Sequence, residues 1–414
     1  MTTLDLLWIR SQFPALAETV NGQPAVFFDG PGGTQVTQGV IDAISGYLSH
    51  ANANTHGAFL TSARTDAVIA NAHQAMADLL GCDPDEVMFG ANMTSLTFAL
   101  ARSIGRTIQP GDEIVLTRLD HDANFSPWHA LEERGAVIKI VDVDIEDCTL
   151  DMDDMRRQIT PKTRLVAVGY ASNAVGTIND VAEVVKLAHA VGALCFIDAV
   201  HYAPHGPIDV RALDCDFLAC SPYKFFAPHM GTIYGKRVHL EQFQPYKVRP
   251  ASNATPDRWE TGTKNHEGMA GVTAAVDYLA ALGAGQAGTT RRTALLAAMN
   301  EIQAYERMLS EKLIAGLLEI PGLTFYGIRE TERFDQRTPT VAVRITGSTP
   351  RELAEELGKR GIFTWDGNYY ALNLAERLGV QEDGGMLRIG LVHYNTIEEI
   401  ERLLVALREI VGGA

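Results

Sequence analysis

The sequence predicts an α/β fold, with a mostly parallel central sheet in a large domain and a smaller α+β domain at the C-terminus. Three observations predict it. Apolar, β-rich runs at 86–90, 113–117, 137–141, 164–168 and 194–198 lack the alternation of a half-exposed strand, so both faces of their sheet are expected to be covered. Segments such as 66–80 and 180–190 place apolar residues every three or four positions, the period of a helix lying on such a sheet. A chain of 414 residues exceeds what one core usually fills, which predicts two or three domains.

In chain order, residues 1–25 are expected as an N-terminal segment packing on the small domain, 26–265 as the large domain and 266–414 as the small one. Strands 217–220 and 231–235 read as a final pair closing the large domain. The stretch 262–288, rich in Gly and Ala, reads as a hinge into helices. Beyond it the pattern predicts a helix over 304–319, strands near 323–326, 340–344 and 386–389, and a terminal helix over 397–411. The first ten residues are a short amphipathic piece broken by Asp5 and Arg10, unlike a signal peptide, and no apolar run is long enough to span a bilayer. A formal charge of −16 argues against nucleic acid and anionic membrane as partners, since both reward clustered Lys and Arg. Five scattered cysteines without a CxxC pair suggest reduced thiols in a cytoplasmic protein, with neither disulfides nor a metal site.

Ligands of an open parallel sheet collect at the carboxyl ends of its strands, so polar residues there carry the functional information. Lys224 lies in Phe217-Leu-Ala-Cys-Ser-Pro-Tyr-Lys-Phe-Phe226, an apolar segment without a carboxylate. An ammonium is costly there. Either its stem snorkels to water, or it is a desolvated amine able to form a Schiff base. Asp198 and His201 stand together at the end of strand 194–198, Asn173 follows 164–168, and His121 follows 113–117. Thr94 and Ser95 fall between a strand and a helix, where they either cap the helix or hold a phosphate at its free amides. An amine, a carboxylate, a flat ring, an amide and phosphate donors at successive strand ends describe what pyridoxal phosphate requires.

With these residues in place the sequence resembles the class V aminotransferase and cysteine desulfurase family of fold-type I, pyridoxal-phosphate-dependent enzymes. The resemblance runs in order through Phe27-Phe-Asp-Gly-Pro-Gly-Gly33, Ala53-Asn-Thr-His56, His121-Asp-Ala-Asn124, Ser172-Asn-Ala-Val-Gly-Thr177, Asp198-Ala-Val-His201, Ser221-Pro-Tyr-Lys224 and Glu260-Thr-Gly-Thr263 to Arg388. It implies that Lys224 holds the cofactor's aldehyde and later moves protons at the substrate's α-carbon. It also implies that Asp198 pairs with the pyridine nitrogen and that His121 stacks on the ring. Asn173 would contact the phenolic oxygen or the substrate carboxylate, and His201, where many relatives carry glutamine, would hydrogen-bond the phenolic oxygen. Thr94, the backbone at Met93, Ser221 and Tyr223 would surround the phosphate, with Thr263 supplied by the partner of a homodimer. Arg388 would take the substrate carboxylate as a fork, joined at the substrate site by Asn173 and His56; the lesser alternative is a solvated strand-edge charge, pointing away from Leu387 and Ile389.

One departure stands out. Desulfurases of this family attack sulfur with a cysteine on a small-domain loop ahead of the arginine strand. Here that stretch, 361–373, contains none, and all five cysteines lie between 82 and 220. Asp366, Asn368, Tyr369 and Tyr370 form a polar, aromatic rim that either binds a substrate side chain or packs between domains. The resulting expectation is an enzyme acting at Cα or Cβ of an amino acid without persulfide chemistry, a C–S lyase or a transaminase. Alternatives are an amino-acid epimerase or racemase and a non-catalytic pyridoxal-phosphate-binding protein.

Overall fold

The apolar runs pair into a seven-stranded sheet in the computed structural model, which describes residues 4–283 and 289–412. From one edge to the other the strands are Val87–Gly90, Gly231–Gly235, Phe217–Cys220, Leu194–Asp198, Thr163–Gly169, Glu113–Thr117 and Val137–Val141. Every pairing is parallel except the two made by Gly231–Gly235, which runs against both neighbours. Successive residues of each strand feed opposite faces: Val115, Val166 and Ile197 enter one core, Ile114, Leu165 and Phe196 the other. Two buried faces explain the absence of polar alternation.

The pair 217–220 and 231–235 does not close the sheet, because Val87–Gly90 adds outside Gly231–Gly235 and makes the edge. Periodicity marks a strand but carries no information about its neighbours. The opposite edge, Val137–Val141, is exposed at Val137 and half-buried at Lys139, a charged residue of the kind that discourages further strand addition.

A second sheet is antiparallel, in the order Leu323–Tyr326, Thr340–Ile345, Met386–Gly390, Trp365–Gly367. Three of these strands match the expected positions; Trp365–Gly367 is too short and too polar to show a period. Ile362–Phe363 pairs in parallel with Val26–Phe27, and Arg10 reaches Glu399 at 2.8 Å. Among the described residues no helix is long and apolar enough to cross a membrane.

The Gly/Ala-rich stretch expected as a hinge is instead a helix, His266–Gly283; residues 284–288 of that stretch, and 1–3 of the N-terminal segment, lie outside the described residues. It buries Met269, Val272, Val276 and Leu279 against the helices Gln38–His50, Leu60–Leu80 and Arg291–Leu318. Small residues serve close packing here: a Cβ at Gly271 would stand 3.0 Å from Pro228 and 3.1 Å from Ile44. The next helix, Arg291–Leu318, starts well before position 304, with Thr290 accepting from the Thr293 amide as its cap.

Candidate active site

The carboxyl ends of the parallel strands surround a cavity of about 1030 Å³, lined also by the turn at Trp365–Tyr370. Asp198 ends its strand there, buried, with Oδ1 accepting from the Val200 amide at 2.9 Å. Burial raises its pKa to about 6, against the pull of that amide and of the Lys224 charge.

Lys224 closes the short turn Pro222–Lys224 that follows the strand Phe217–Cys220. Its Nζ donates to the Pro31 carbonyl and lies 4.7 Å from the centre of the Tyr223 ring. Burial lowers its pKa to about 7; Arg388 lowers it further, while Asp198 and Asp29 oppose the fall. The stem therefore does not snorkel free. Pro31 is itself fixed by Gly390, where an added Cβ would overlap the proline ring, so the Lys224 turn and the strand Met386–Gly390 meet through one tight contact.

His121 follows the strand Glu113–Thr117, with Nδ1 accepting from the Ala123 amide at 3.0 Å, which leaves the ring proton on Nε2. Burial, then the charges of Lys224 and Arg388, lower its pKa to about 4, so the ring is neutral at pH 7. It stacks on Tyr370 at 5.5 Å.

The helix Met93–Ile104 begins at the cavity. Its cap is Asn92, whose side chain accepts from the Ser95 amide at 2.8 Å, so neither Thr94 nor Ser95 is the cap. The amides of Met93 and Thr94 have no carbonyl within the helix to meet, which leaves donors of the kind that bind anions facing the cavity. Gly231 packs directly beneath: a Cβ there would fall on the backbone of Asn92 and Met93. Gly231→Ala is expected to weaken pyridoxal phosphate binding about tenfold or more, since overpacking costs roughly 1–3 kcal/mol. Equilibrium titration of the apoprotein with the cofactor measures it.

Arg388 is buried on Met386–Gly390, its guanidinium 4.2 Å from the Tyr369 ring centre and its NH1 donating to the Asn173 carbonyl at 2.9 Å. It is not a solvated edge charge: antiparallel pairing with Trp365–Gly367 on one side and Thr340–Ile345 on the other covers it, and burial lowers its pKa to about 10. The rim both lines the cavity and bridges the two sheets' loops. Tyr369 O accepts from Asn173 Nδ2 at 2.9 Å, and Tyr370 O from the Asp122 amide at 2.7 Å. Tyr369 and Tyr370 hold φ of 57° and 59°, strained values for non-glycine residues of the kind found at ligand sites.

Ser221, Tyr223 and His201 also line the cavity, whereas His56 and Thr263 do not. The His56 side chain is 85% exposed beside Asp66, and Thr263 is exposed in a turn. Asp120 was not among the expected residues. It is buried, accepts from Thr117 Oγ1 at 2.5 Å and Asn124 Nδ2 at 2.9 Å, and has its pKa raised to about 7 by burial and by nearby Asp198. Its place before His121 in the Asp-His-x-Ala-Asn run was the available signal.

Two buried polar atoms of cavity residues, Asn173 Oδ1 and Arg388 Nε, have no hydrogen-bond partner among the described residues. A molecule carrying a phosphate, an aldehyde, a basic ring nitrogen and an amino-acid carboxylate would meet a partner for each, so the residues present fit pyridoxal phosphate and its substrates. That fit, on a sheet with a single antiparallel strand, places the protein among the fold-type I enzymes that use this cofactor. It belongs to the class-V aminotransferase family, whose pattern matches residues 26–403. The chain is 33% identical to a cysteine desulfurase of Pectobacterium carotovorum, covering 97% of each. It is also 33% identical to the aminotransferase-like protein FGM3 of Gibberella zeae, covering 97% of this chain and 98% of that one. A solved apo cysteine desulfurase from Thermococcus onnurineus superposes with a TM-score of 0.89 at 25% identity, over 100% of both chains. Two other relatives are longer, and the chain spans 58% and 64% of their lengths.

Proposed function

We propose that the protein acts at Cα and Cβ of an amino acid as a C–S lyase or a transaminase, without a cysteine persulfide. One observation carries the reading: none of the five cysteines lines the cavity, and the segment 361–373 brings Trp365, Asp366, Asn368, Tyr369 and Tyr370 to it instead. Burial raises the pKa of every thiol, the reverse of what a sulfur nucleophile needs.

Pyridoxal phosphate, when bound, supplies an aldehyde for the amino group and a ring that accepts the electron pair left at Cα. Lys224, poised between its charged and neutral forms at pH 7, takes and returns the Cα proton. Asp198 holds a proton at the ring nitrogen, and His121 covers the ring face as a neutral plate. Met93, Thr94, Ser221 and Tyr223 bind the phosphate, His201 and Asn173 the phenolic oxygen, and Arg388 the substrate carboxylate. A homodimer is needed to bring Thr263 or His56 to any cavity. The large and small domains divide near residue 265, after an N-terminal segment of about 25 residues.

Because several relatives are named cysteine desulfurases, the assay must include that reaction. Holoenzyme incubated with single amino acids is expected to release keto acid, with Cys82→Ser unaffected. Stoichiometric alanine and sulfane sulfur from cysteine would overturn the proposal, and their loss in Cys82→Ser would assign the persulfide to the one thiol that is not fully buried. Loss of chirality without keto acid would select the epimerase reading.

A further inference from the structure

Beyond His201 lies a second cavity of about 400 Å³ whose lining includes Thr338, His205 and Glu306. None of the three lines the first cavity. His201 does, and its Nε2 lies 3.1 Å from Thr338 Oγ1, so one hydrogen bond crosses the wall between the two spaces. The rings of His201 and His205 are 5.1 Å apart. His205 Nδ1 bonds Glu306 Oε2 at 2.8 Å, with both side chains almost fully buried, and Glu306 Oε1 has no side-chain partner among the described residues. A buried carboxylate in mid-helix is expensive, and beside His205 this one is met only by the His393 backbone amide. Exposed Arg307 and Asp335 stand at the mouth of the cavity. Its other cation, Arg337, spends its donors on backbone carbonyls, including Thr340 O at 2.6 Å. The space is large enough for several waters, with His205, Glu306 and Thr338 as polar partners for them.

We infer that the second cavity is a proton-exchange route between solvent and His201, through the His205–Glu306 pair, cavity water and the Thr338 hydroxyl. In each transfer the Thr338 hydroxyl, which also reaches the Gly176 carbonyl at 3.3 Å, gives its proton to His201 Nε2 while its oxygen takes one from a cavity water. The His205–Glu306 pair restores that water's proton and is itself recharged from solvent at the mouth. His201 releases the proton of its other ring nitrogen to the first cavity and regains its starting tautomer when a proton passes back, so the net charge of the relay is unchanged. The charged and titratable groups around His201 are Lys224, Arg388 and His205. Those around the His205–Glu306 pair are His393, Tyr305 and, at the cavity, Arg307, Asp335 and Arg337.

The inference rests on bound pyridoxal phosphate, whose visible absorption reports proton exchange near His201 without any turnover. After a rapid pH jump of the holoenzyme, Thr338→Val and the cavity-filling Ala304→Trp are each expected to slow relaxation of that band at least about tenfold. Thr338→Ser is expected to restore it, and melting temperatures identify any variant that fails by misfolding. Glu306→Gln is expected to slow the same phase. Relaxation unchanged in all of these variants means that protons enter through the first cavity, and overturns the route. A reconstituted protein with no visible band overturns the cofactor assignment instead.

Discussion

Lys224→Ala is expected to abolish the covalent attachment of pyridoxal phosphate and to lower turnover by at least about 10²–10⁴-fold, the usual worth of a positioned acid–base group. The measurements are the visible band, trapping by borohydride, and turnover with added cofactor. The same substitution has a second, opposite consequence for the apoprotein. The folded pKa of Lys224, about 7, lies below its ordinary 10.5, so the unfolded chain binds more protons between those values. Stability from this group is complete only above pH 10.5 and is lost as the pH falls towards 7. Removing the amine should therefore raise the apoprotein's melting temperature at pH 6–7, by an amount that shrinks towards pH 10.5. The ceiling is about 5 kcal/mol at 1.36 kcal/mol per unit. Losing the bond to Pro31 O, and the charge that holds Asp198 and Asp29 ionised, reduces it. Melting temperatures of the two apoproteins across this range decide the matter; a gain as large at pH 10.5 as at pH 6.5 would show that Lys224 is not desolvated.

The parallel core was legible because strands covered on both faces must be apolar at every position, and that leaves a mark in the local sequence. Lys224, Asp198 and His121 were legible for the complementary reason: each interrupts or ends such a run, where a polar group needs an explanation. Arg388 was only half legible. Alternation with Leu387 and Ile389 gave the side of the strand it faces, but its burial depends on Tyr369 and on Asn173, more than two hundred residues away in sequence. Strand order, and with it the true edges, is a long-range property in the same sense. The stretch 262–283 failed differently, since Gly and Ala suit both a hinge and a helix packed closely on three others. Asp120 escaped notice because a carboxylate between a strand and a histidine looks like loop solvation. Only the fold shows it buried next to Asp198.

Arg388→Leu is expected to cost amino-acid substrates on the order of 10²–10⁴-fold in kcat/KM, from the loss of two hydrogen bonds to a carboxylate at about 1.5–3 kcal/mol each. The guanidinium is held flat by the Tyr369 ring and by the Asn173 carbonyl, while its Nε is buried and unpartnered, so its fork is oriented before any substrate arrives. Arg388→Lys keeps the charge but not the planar fork, and should recover only a small part of the loss. The discriminating comparison is between an amino acid and the corresponding amine without its carboxylate. If Arg388 binds that carboxylate, the variant falls for the acid and barely changes for the amine, and the spectral response of the holoenzyme to amino acids moves to higher concentration. A fall of equal size for both compounds would make Arg388 a structural residue holding Asn173 and the Tyr369 turn. Stability separates the two roles independently. Replacing a buried, incompletely paired cation by leucine should leave the melting temperature nearly unchanged, whereas loss of a structural clamp should lower it by several degrees.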